Sequence, residues 1–195
     1  NYTYMYRFMT LEHKKRFATD QYPEFIYDDQ NEKLIKAICF FLSQDARFEK
    51  TECELTGKKF SLKKGLMIMG GYGVGKTHIL QCVANNERTP INIYSMIKIS
   101  SSLLKKEDLS IDYSKVIYLD DVGTEESTLN VYGTKITWFK DFIENYSLDK
   151  LKPNKLIIST NCNFDEIEEK YTGRVRSRMA EMFNFIKVTG TDRRK

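Results

Sequence analysis

The sequence predicts an α/β fold in which a five-stranded parallel sheet is flanked by helices, and three features predict it. Residues 70–77 read GGYGVGKT, the G-x-x-x-x-G-K-[ST] pattern of a phosphate-binding loop. Short apolar runs alternate along the chain with segments of helical periodicity. Two of these runs end in acidic or amide residues, as expected where parallel strands present polar groups at their carboxyl ends. Strands are expected near residues 66–69, 91–94, 115–120, 155–160 and 185–188.

The phosphate-binding loop follows an apolar run and precedes a segment that can continue as a helix. Glycines allow backbone conformations in which successive N–H groups form a nest for phosphate oxygens, and the helix dipole adds positive potential. Lys76 is expected to reach the β- and γ-phosphates, and the Thr77 hydroxyl is expected to bind Mg²⁺. Because four of the 10 glycines fall between positions 70 and 75, an accidental turn is the weaker interpretation. The predicted nucleotide-binding residues are Gly70, Gly71, Tyr72, Gly73, Val74, Gly75, Lys76, Thr77 and His78.

Two adjacent acids follow the apolar residues of the segment KVIYLDDVG. Such a strand is buried, and it brings Asp120 to its carboxyl end beside the phosphate-binding loop, where Asp120 can hold Mg²⁺ directly or through water. Asp121 is then placed to orient or deprotonate an attacking water. An apolar run followed by acids is weak evidence for a metal-binding strand when it stands alone, but it becomes strong evidence when it follows a phosphate-binding loop. Glu125 is a second candidate for polarising water, and a helix-capping or solvated acid is an equally good interpretation of it.

Two later segments carry further polar candidates. The apolar run KLIISTN ends in Asn161, whose amide can hydrogen-bond a γ-phosphate or the lytic water; a simple turn residue is the alternative. Ile157 stands where the guanine-specific N-K-x-D motif needs Asp, which argues against a GTPase. In GRVRSRM, Arg174 and Arg178 are four residues apart and share a face if the segment is helical. One arginine here can act in trans on a neighbour's nucleotide, and a basic surface helix is the alternative.

Periodicity also predicts the helices. An amphipathic helix is expected over residues 131–147, a second helix over 31–49, and shorter ones over 96–104 and 166–171. The first 30 residues are aromatic and charged, and their first half is expected to be helical. Their aromatic side chains are expected to pack on the core, with a partner-binding segment as the alternative.

Composition limits the class of protein. A length of 195 residues suits one domain with a short extension, and we expect an amino-terminal extension and helix at 1–50 and the domain that carries the phosphate-binding loop at 51–195. The net charge of +4 permits a nucleic-acid partner without requiring one. The four cysteines contain no C-x-x-C pair, which argues against a cysteine zinc site and fits a reducing cytoplasm. No apolar run approaches the length of a membrane span.

Together these motifs resemble the AAA+ ATPases of the DnaC/DnaI/IstB group, the bacterial and phage helicase loaders and their transposition relatives. The resemblance covers roughly residues 60–194 and is carried by GGYGVGKTH, VIYLDDVGTEES, YGTKITWFKDFIENY, IISTN, GRVRSRM and GTDRR. It implies the spatial strand order 5-1-4-3-2 and a reduced or absent helical lid. It also implies that Asn161 is the sensor-1 residue, that Arg178 is the arginine finger and that Arg194 is a sensor-2 arginine.

The chain departs from the family pattern at two places. Asn145-Tyr146 stands where the family often has Arg-Tyr at the end of the helix before sensor 1. Asp121 is a shorter carboxylate than the Glu of many AAA+ proteins, although the Asp-Asp pair is common in this group.

The resemblance implies a Mg²⁺-dependent, ATP-binding and ATP-hydrolysing protein of DNA replication, bacterial or phage-encoded. It would resemble a replicative helicase loader, acting on single-stranded DNA and/or a helicase ring, with the nucleotide site shared between self-associating subunits. Lys105 and Lys106 are candidate DNA contacts, because they precede the acidic strand where related proteins place a DNA-facing insertion. An IstB-like transposition helper is the alternative. A small-molecule phosphotransferase or a module that binds nucleotide without hydrolysing it fits less well, and no acceptor pocket is identifiable.

Overall fold

A computed structural model describes residues 2–19, 24–105, 107, 109–125, 129–131, 134–148 and 152–193. In chain order the elements are α1 (Tyr2–Arg16), α2 (Glu32–Leu42), β1 (Gly65–Gly70), α3 (Lys76–Val83), β2 (Ile91–Ser95), α4 (Met96–Lys105), β3 (Val116–Val122), β4 (Leu129–Val131), β5 (Thr134–Ile136), α5 (Trp138–Leu148), β6 (Leu156–Thr160), α6 (Phe164–Tyr171), α7 (Gly173–Met182) and β7 (Phe183–Val188). Short 3₁₀ helices lie at Ala46–Lys50 and Pro153–Lys155. In the described part of the chain, no helix combines the length and the apolar character that crossing a bilayer requires.

Five strands form one parallel sheet in the order β2-β3-β6-β1-β7. Numbered among themselves and viewed from the other edge, these strands have the order 5-1-4-3-2, so the predicted fold and strand order are confirmed. The strand that leads into the phosphate-binding loop lies between two others, with Ile68 opposite Ser159 of β6 and Ile186 of β7. Strands buried on both faces read as continuous apolar runs, which is why the pattern at residues 66–69 could be recognised in the sequence.

The strand β3 contains one residue more than β6 at the place where its acids lie. Leu119 pairs with Ile158, but the next pair joins Val122 to Thr160. Such a bulge bends a strand and re-aims its side chains. Asp121 lies inside it and has a φ of 59°, in the left-handed region. The irregularity therefore decides where the two carboxylates of this strand point.

The helix predicted over residues 131–147 begins later than expected. An antiparallel pair of short strands, β4 and β5, comes first, and α5 starts at Trp138. Val131, Thr134 and Ile136 are β-branched, which favours strand over helix. The remainder of the predicted apolar face is buried in the core, as the side chains of Phe139, Phe142, Ile143 and Tyr146.

The amino-terminal helix α1 packs on the same core as the sheet. Met5 and Met9 are 1% and 0% exposed, and α1 lies against α3, the helix that follows the phosphate-binding loop. Tyr2 and Tyr6 are partly buried against this core, as the packing interpretation of the segment requires. The helix α2 ends at residue 42, before the predicted residue 49, and Gln44 beyond it has a left-handed φ of 50°. The division of the chain at residue 50 stays a prediction.

The central strand β6 supplies a test of the fold. Ile158 is 0% exposed, so Ile158→Ala should lower the free energy of unfolding by about 2–5 kcal/mol through lost burial and a residual cavity. The control Ile97→Ala removes the same atoms from a side chain that is 61% exposed, and it should change stability by no more than about 0.5 kcal/mol. Urea unfolding followed by circular dichroism measures both. Equal losses would contradict a central, buried β6.

Candidate nucleotide-binding site

The phosphate-binding loop joins β1 to α3 and turns on two glycines. Gly73 and Gly75 have left-handed φ values of 72° and 94°, which residues with a Cβ rarely adopt. A Cβ at Gly73 would also lie 1.8 Å from the Asp192 carboxylate, so a larger residue there would displace that side chain. The Arg193 N–H donates to the Gly73 carbonyl at 3.0 Å. The carboxyl-terminal segment is thus held directly against the loop.

The Lys76 ammonium is buried at the start of α3, with 5% of the residue exposed. Its Nζ donates to the carbonyls of Gly70 at 2.7 Å and Gly71 at 2.8 Å, and to Asn161 Oδ1 at 2.8 Å. A buried cation needs such oxygen partners, because an uncompensated charge in the interior is strongly destabilising. Lys76 therefore ties the loop to the carboxyl end of β6.

Asp120 is the centre of a buried hydrogen-bond network. Thr77 Oγ1 and Ser159 Oγ each donate to Asp120 Oδ1 at 2.8 Å, and the Tyr118 hydroxyl donates to the same oxygen. Burial, followed by the charge of Asp120, raises the pKa of Tyr118 well above its ordinary value, so the phenol stays a donor. Three hydroxyls thus fix the carboxylate that was predicted to hold Mg²⁺ beside the predicted Thr77.

The oxygen atoms of Thr77 and Asp120 are of the kind that binds Mg²⁺ in proteins. Thr77 Oγ1 and Asp120 Oδ1 are adjacent hard oxygens at the mouth of the loop, and Mg²⁺ is typically bound by one or two carboxylates together with substrate phosphates. These two side chains are the ones that would hold the ion. A bound Mg²⁺ supplies positive charge that offsets the negative charge of phosphate oxygens.

The side chain of Asp121 lies beside Asn161, and its main chain contacts Ser159, which is also a partner of Asp120. The Asn161 side-chain nitrogen donates to Asp121 Oδ1 at 3.4 Å, and the Asp121 N–H donates to Ser159 Oγ at 3.1 Å. Since Asn161 Oδ1 also accepts from Lys76, one amide side chain connects the loop lysine to the second acid of β3. The structure thus brings together the predicted residues Lys76, Asn161 and Asp121.

A cleft of about 540 Å³ opens over the loop, a volume typical of small-molecule sites. The loop from Tyr72 to Thr77 lines it, together with His78, Asp121 and Asn161. Gly70 and Gly71 contribute through the carbonyls that hold Lys76. The predicted residues from Tyr72 to His78 therefore line one cavity, with Asp121 and Asn161, two of the four candidate catalytic residues, at the same cavity.

Sequence reasoning missed the far wall of this cleft. Phe17, Phe25 and Ile26 from the amino-terminal segment line it and give it an apolar side. The high aromatic content of the first 30 residues indicated that this segment has apolar surface to bury. Nothing in the sequence indicated that this surface lies at the cleft. His78 lies against this wall, stacked on Phe25 with ring centroids 6.2 Å apart. Burial, and then the charge of His13, lowers the pKa of His78 below its ordinary value.

Arg193 is a second residue that sequence reasoning missed. Its guanidinium lines the cleft and donates to Asp28 Oδ1 at 2.6 Å. The hydrogen bond from Arg193, aided by its charge, lowers the pKa of Asp28 below its ordinary value. The predicted Arg194 lies outside the described residues and stays a prediction; of the residues that the structure describes, its neighbour Arg193 lines the cleft.

Glu125 is placed away from the cleft. Its carboxylate accepts from the Gly123 N–H at 2.8 Å and from the Tyr171 hydroxyl, and the residue is 8% exposed. Lys170 Nζ donates to the Gly123 carbonyl at 2.6 Å and to that of Glu125. Glu125 is thus neither a helix cap nor a solvated acid, but an internal tie between the loop after β3 and the helix α6.

The basic candidates lie on other surfaces. Arg178 is on α7, its side chain is 34% exposed, and its nearest recorded partner is Glu181 at 3.4 Å. Arg174 on the same helix lies 3.6 Å from Glu144 of α5. Lys105 ends α4 and is exposed, whereas Lys106 lies outside the described residues. Neither Arg178 nor Lys105 lines the cleft of its own chain.

The Tyr118–Asp120 hydrogen bond can be tested by Tyr118→Phe, which removes one buried hydroxyl and keeps the ring. Loss of a hydrogen bond to a charged group should lower the free energy of unfolding by about 1.5–3 kcal/mol. Tyr72→Phe, at a residue that is 68% exposed, should change it by no more than about 0.5 kcal/mol. Denaturant titration compares the two. A neutral Tyr118→Phe would mean that the phenol contributes nothing to fixing Asp120.

No protein-family model matches the sequence, and no curated protein matches it. Among solved structures, AMPPCP-bound DnaA from Aquifex aeolicus is similar, with a TM-score of 0.53 and 21% identity over 88% of this chain and 51% of that one. A DNA replication initiation factor is similar with a TM-score of 0.51 and 19% identity, over 88% of this chain and 50% of that one. The chain thus spans about half the length of both proteins. With the strand order and the loop, this likeness shows that the chain has the AAA+ type of P-loop α/β fold.

Proposed function

We propose that the chain binds ATP together with Mg²⁺ and hydrolyses it to ADP and phosphate. The observation that carries this proposal is the side-chain connection from Lys76 through Asn161 to Asp121, which runs along the edge of the cleft. In the proposed complex the Lys76 cation, the Asn161 amide and the Asp121 carboxylate act together on one γ-phosphate.

Each group has a distinct role in the proposed reaction. Lys76 exchanges its carbonyl partners for the β- and γ-phosphate oxygens, because a charge-assisted bond to phosphate is the stronger one. Asn161 hydrogen-bonds the γ-phosphate or the attacking water. Through its hydrogen bond to Asp121, it couples the presence of the γ-phosphate to the position of that carboxylate. Asp121 orients that water and accepts its proton as a general base. Thr77 and Asp120 are the residues that hold Mg²⁺.

The apolar wall of the cleft suits the base of the nucleotide. Phe25 and Ile26 offer flat and aliphatic surface opposite the loop, and aromatic rings favour offset stacking on a planar base. Arg193 adds a cation at the same cleft, where it takes the sensor role that the resemblance assigns to Arg194.

The proposed biological role is in DNA replication, as a helicase loader acting on single-stranded DNA and/or a replicative helicase ring. The structural likeness to DnaA and to a DNA replication initiation factor supports a role in replication in general, and an IstB-like transposition helper stays the alternative. A net charge of +4 and the exposed Lys105 at the end of α4 are consistent with phosphate contacts, with Lys106 as its neighbour.

Self-association belongs to the same proposal. Arg178 lies away from the cleft of its own chain, and its recorded ion pair with Glu181 is exposed, so that pair contributes little to stability. An arginine supplied in trans stabilises the charge that develops on a transferring phosphoryl group. We therefore assign Arg178 to the nucleotide site of a neighbouring subunit.

Two variants test ATP binding and hydrolysis separately. Lys76→Ala should weaken ATP affinity by about 100-fold or more, because two charge-assisted hydrogen bonds to phosphate are lost. Asp121→Asn should leave affinity within about threefold and lower kcat by about 100- to 10,000-fold, as expected for loss of a general base. Fluorescent-nucleotide titration and phosphate release, each with and without single-stranded DNA, measure these effects.

The exposed Lys98→Ala is the control for charge removal, and melting curves check that each variant folds. Unchanged ATP affinity in Lys76→Ala would remove the nucleotide proposal. Equal loss of binding and hydrolysis in Asp121→Asn would make Asp121 a metal-holding or structural residue instead.

The trans role of Arg178 is tested by mixing two inactive variants. Arg178→Ala alone should lower hydrolysis by about 10³- to 10⁵-fold, and a mixture with Lys76→Ala should regain part of the activity. In the mixture, an intact loop from one subunit meets an intact arginine from the other. Arg176→Ala, on the same helix and paired with Glu168, is the control and should hydrolyse ATP normally.

The readout is phosphate release at protein concentrations where wild type assembles, checked by light scattering. Normal hydrolysis by Arg178→Ala, or a mixture that stays inactive although it assembles, would show that Arg178 does not act in trans.

A further inference from the structure

Two histidines and a cysteine meet where α1 packs on α3. His13 Nδ1 lies 3.0 Å from His78 Nε2, and Cys82 Sγ lies 3.7 Å from the same His78 nitrogen. One side-chain ligand atom from each of the three residues lies within 4.8 Å of the other two. The proposed ATPase mechanism does not use this cluster.

The helices bring these residues together for simple geometric reasons. His78 and Cys82 are four residues apart in α3, so their side chains lie on one face of that helix. His13 lies in the last turn of α1, on the side that contacts α3. His13 is 4% exposed and Cys82 is 0% exposed, so the arrangement is held by packing on both sides.

Two of the three separations between these atoms are close to those in the coordination shell of a tetrahedral ion, and the third is within 4.8 Å. With zinc bond lengths of about 2.0–2.3 Å, two ligands of one tetrahedral zinc lie about 3.3–3.6 Å apart. The separations of 3.0 and 3.7 Å bracket this range, so small side-chain adjustments suffice. Two imidazole nitrogens and a thiolate are a ligand set that suits borderline-soft Zn²⁺ rather than Mg²⁺ or Ca²⁺.

The hydrogen bonding at His13 is incomplete without a further partner. Its Nδ1 faces the other imidazole, and its Nε2 is buried with no hydrogen-bond partner among the described residues. No carboxylate is recorded on either ring in that part of the chain. The contact between the rings is a hydrogen bond, so one of the two facing nitrogens carries a proton and the other a lone pair. A cation between the rings would replace that shared proton.

We propose that His13, His78 and Cys82 bind one Zn²⁺. The thiol gives up one proton to solvent as the Sγ–Zn bond forms, and the proton shared between the two rings moves to an outer ring nitrogen. Water from the cleft takes the fourth position, because His13 and His78 both line that cleft. The ion would fasten α1 to the helix that begins at the phosphate-binding loop.

The test is metal binding by the whole chain, measured apart from ATP hydrolysis. Wild type freed of metal by chelation should take up one Zn²⁺ per chain in competition with a chromophoric chelator, and Co²⁺ should give a thiolate charge-transfer band with intense visible bands of four-coordination. Cys82→Ala should lose the band and weaken Zn²⁺ binding by about 100-fold or more, since even outer-shell changes cost about 10–100-fold. His13→Gln should weaken Zn²⁺ binding similarly while keeping a thiol.

Cys39→Ala is the matched control, because Cys39 is also 0% exposed but lies on α2, outside the cluster. It should bind Zn²⁺ and Co²⁺ as wild type does. If wild type takes up no Zn²⁺, or if Cys82→Ala and His13→Gln bind it as tightly as Cys39→Ala does, the zinc site is excluded. The cluster is then a hydrogen-bonded histidine pair beside a core thiol.

Discussion

The buried Lys76 ammonium holds the ends of two neighbouring strands in one arrangement. Its oxygen partners come from the end of β1, at Gly70 and Gly71, and from the residue after β6, Asn161. The charge tolerates burial only because all three oxygens converge on it. That convergence requires β6 to lie beside β1, so the strand order is a condition of the site and not just a way of covering the core. The network around Asp120 then adds the third strand, β3, through Ser159.

Much of this site could be predicted because its signals are local. Glycines and a lysine at fixed spacing form a loop wherever they occur between a buried strand and a helix, and polar residues at the ends of parallel strands meet at one edge of the sheet. The partners of Glu125 could not be predicted, because Tyr171 reaches it from a helix 46 residues further on. Arg193 and the aromatic wall depend on tertiary packing of the two ends of the chain, for which the sequence offers no periodicity.

The start of the helix that was predicted at residue 131 also could not be located from the sequence. Hydrophobic spacing marked the buried face of α5 correctly, but it could not mark where that helix starts, since β-branched residues also serve a hairpin. The His13–His78–Cys82 cluster is similar. Two of its members are helical neighbours, whereas the third comes from 65 residues away, so a search for closely spaced cysteines could not find it. If this cluster binds zinc, the amino-terminal helix is joined to the nucleotide site by a bond as well as by packing.

The left-handed backbone at Asp121 restricts which amino acids can stand there. At a φ of 59°, aspartate and asparagine are several-fold enriched over other residues that carry a Cβ. The bulge bends the strand at this residue and re-aims a side chain that lines the cleft. A change that straightened β3 would therefore alter two things together: the direction of the Asp121 carboxylate and the set of amino acids that position 121 accepts.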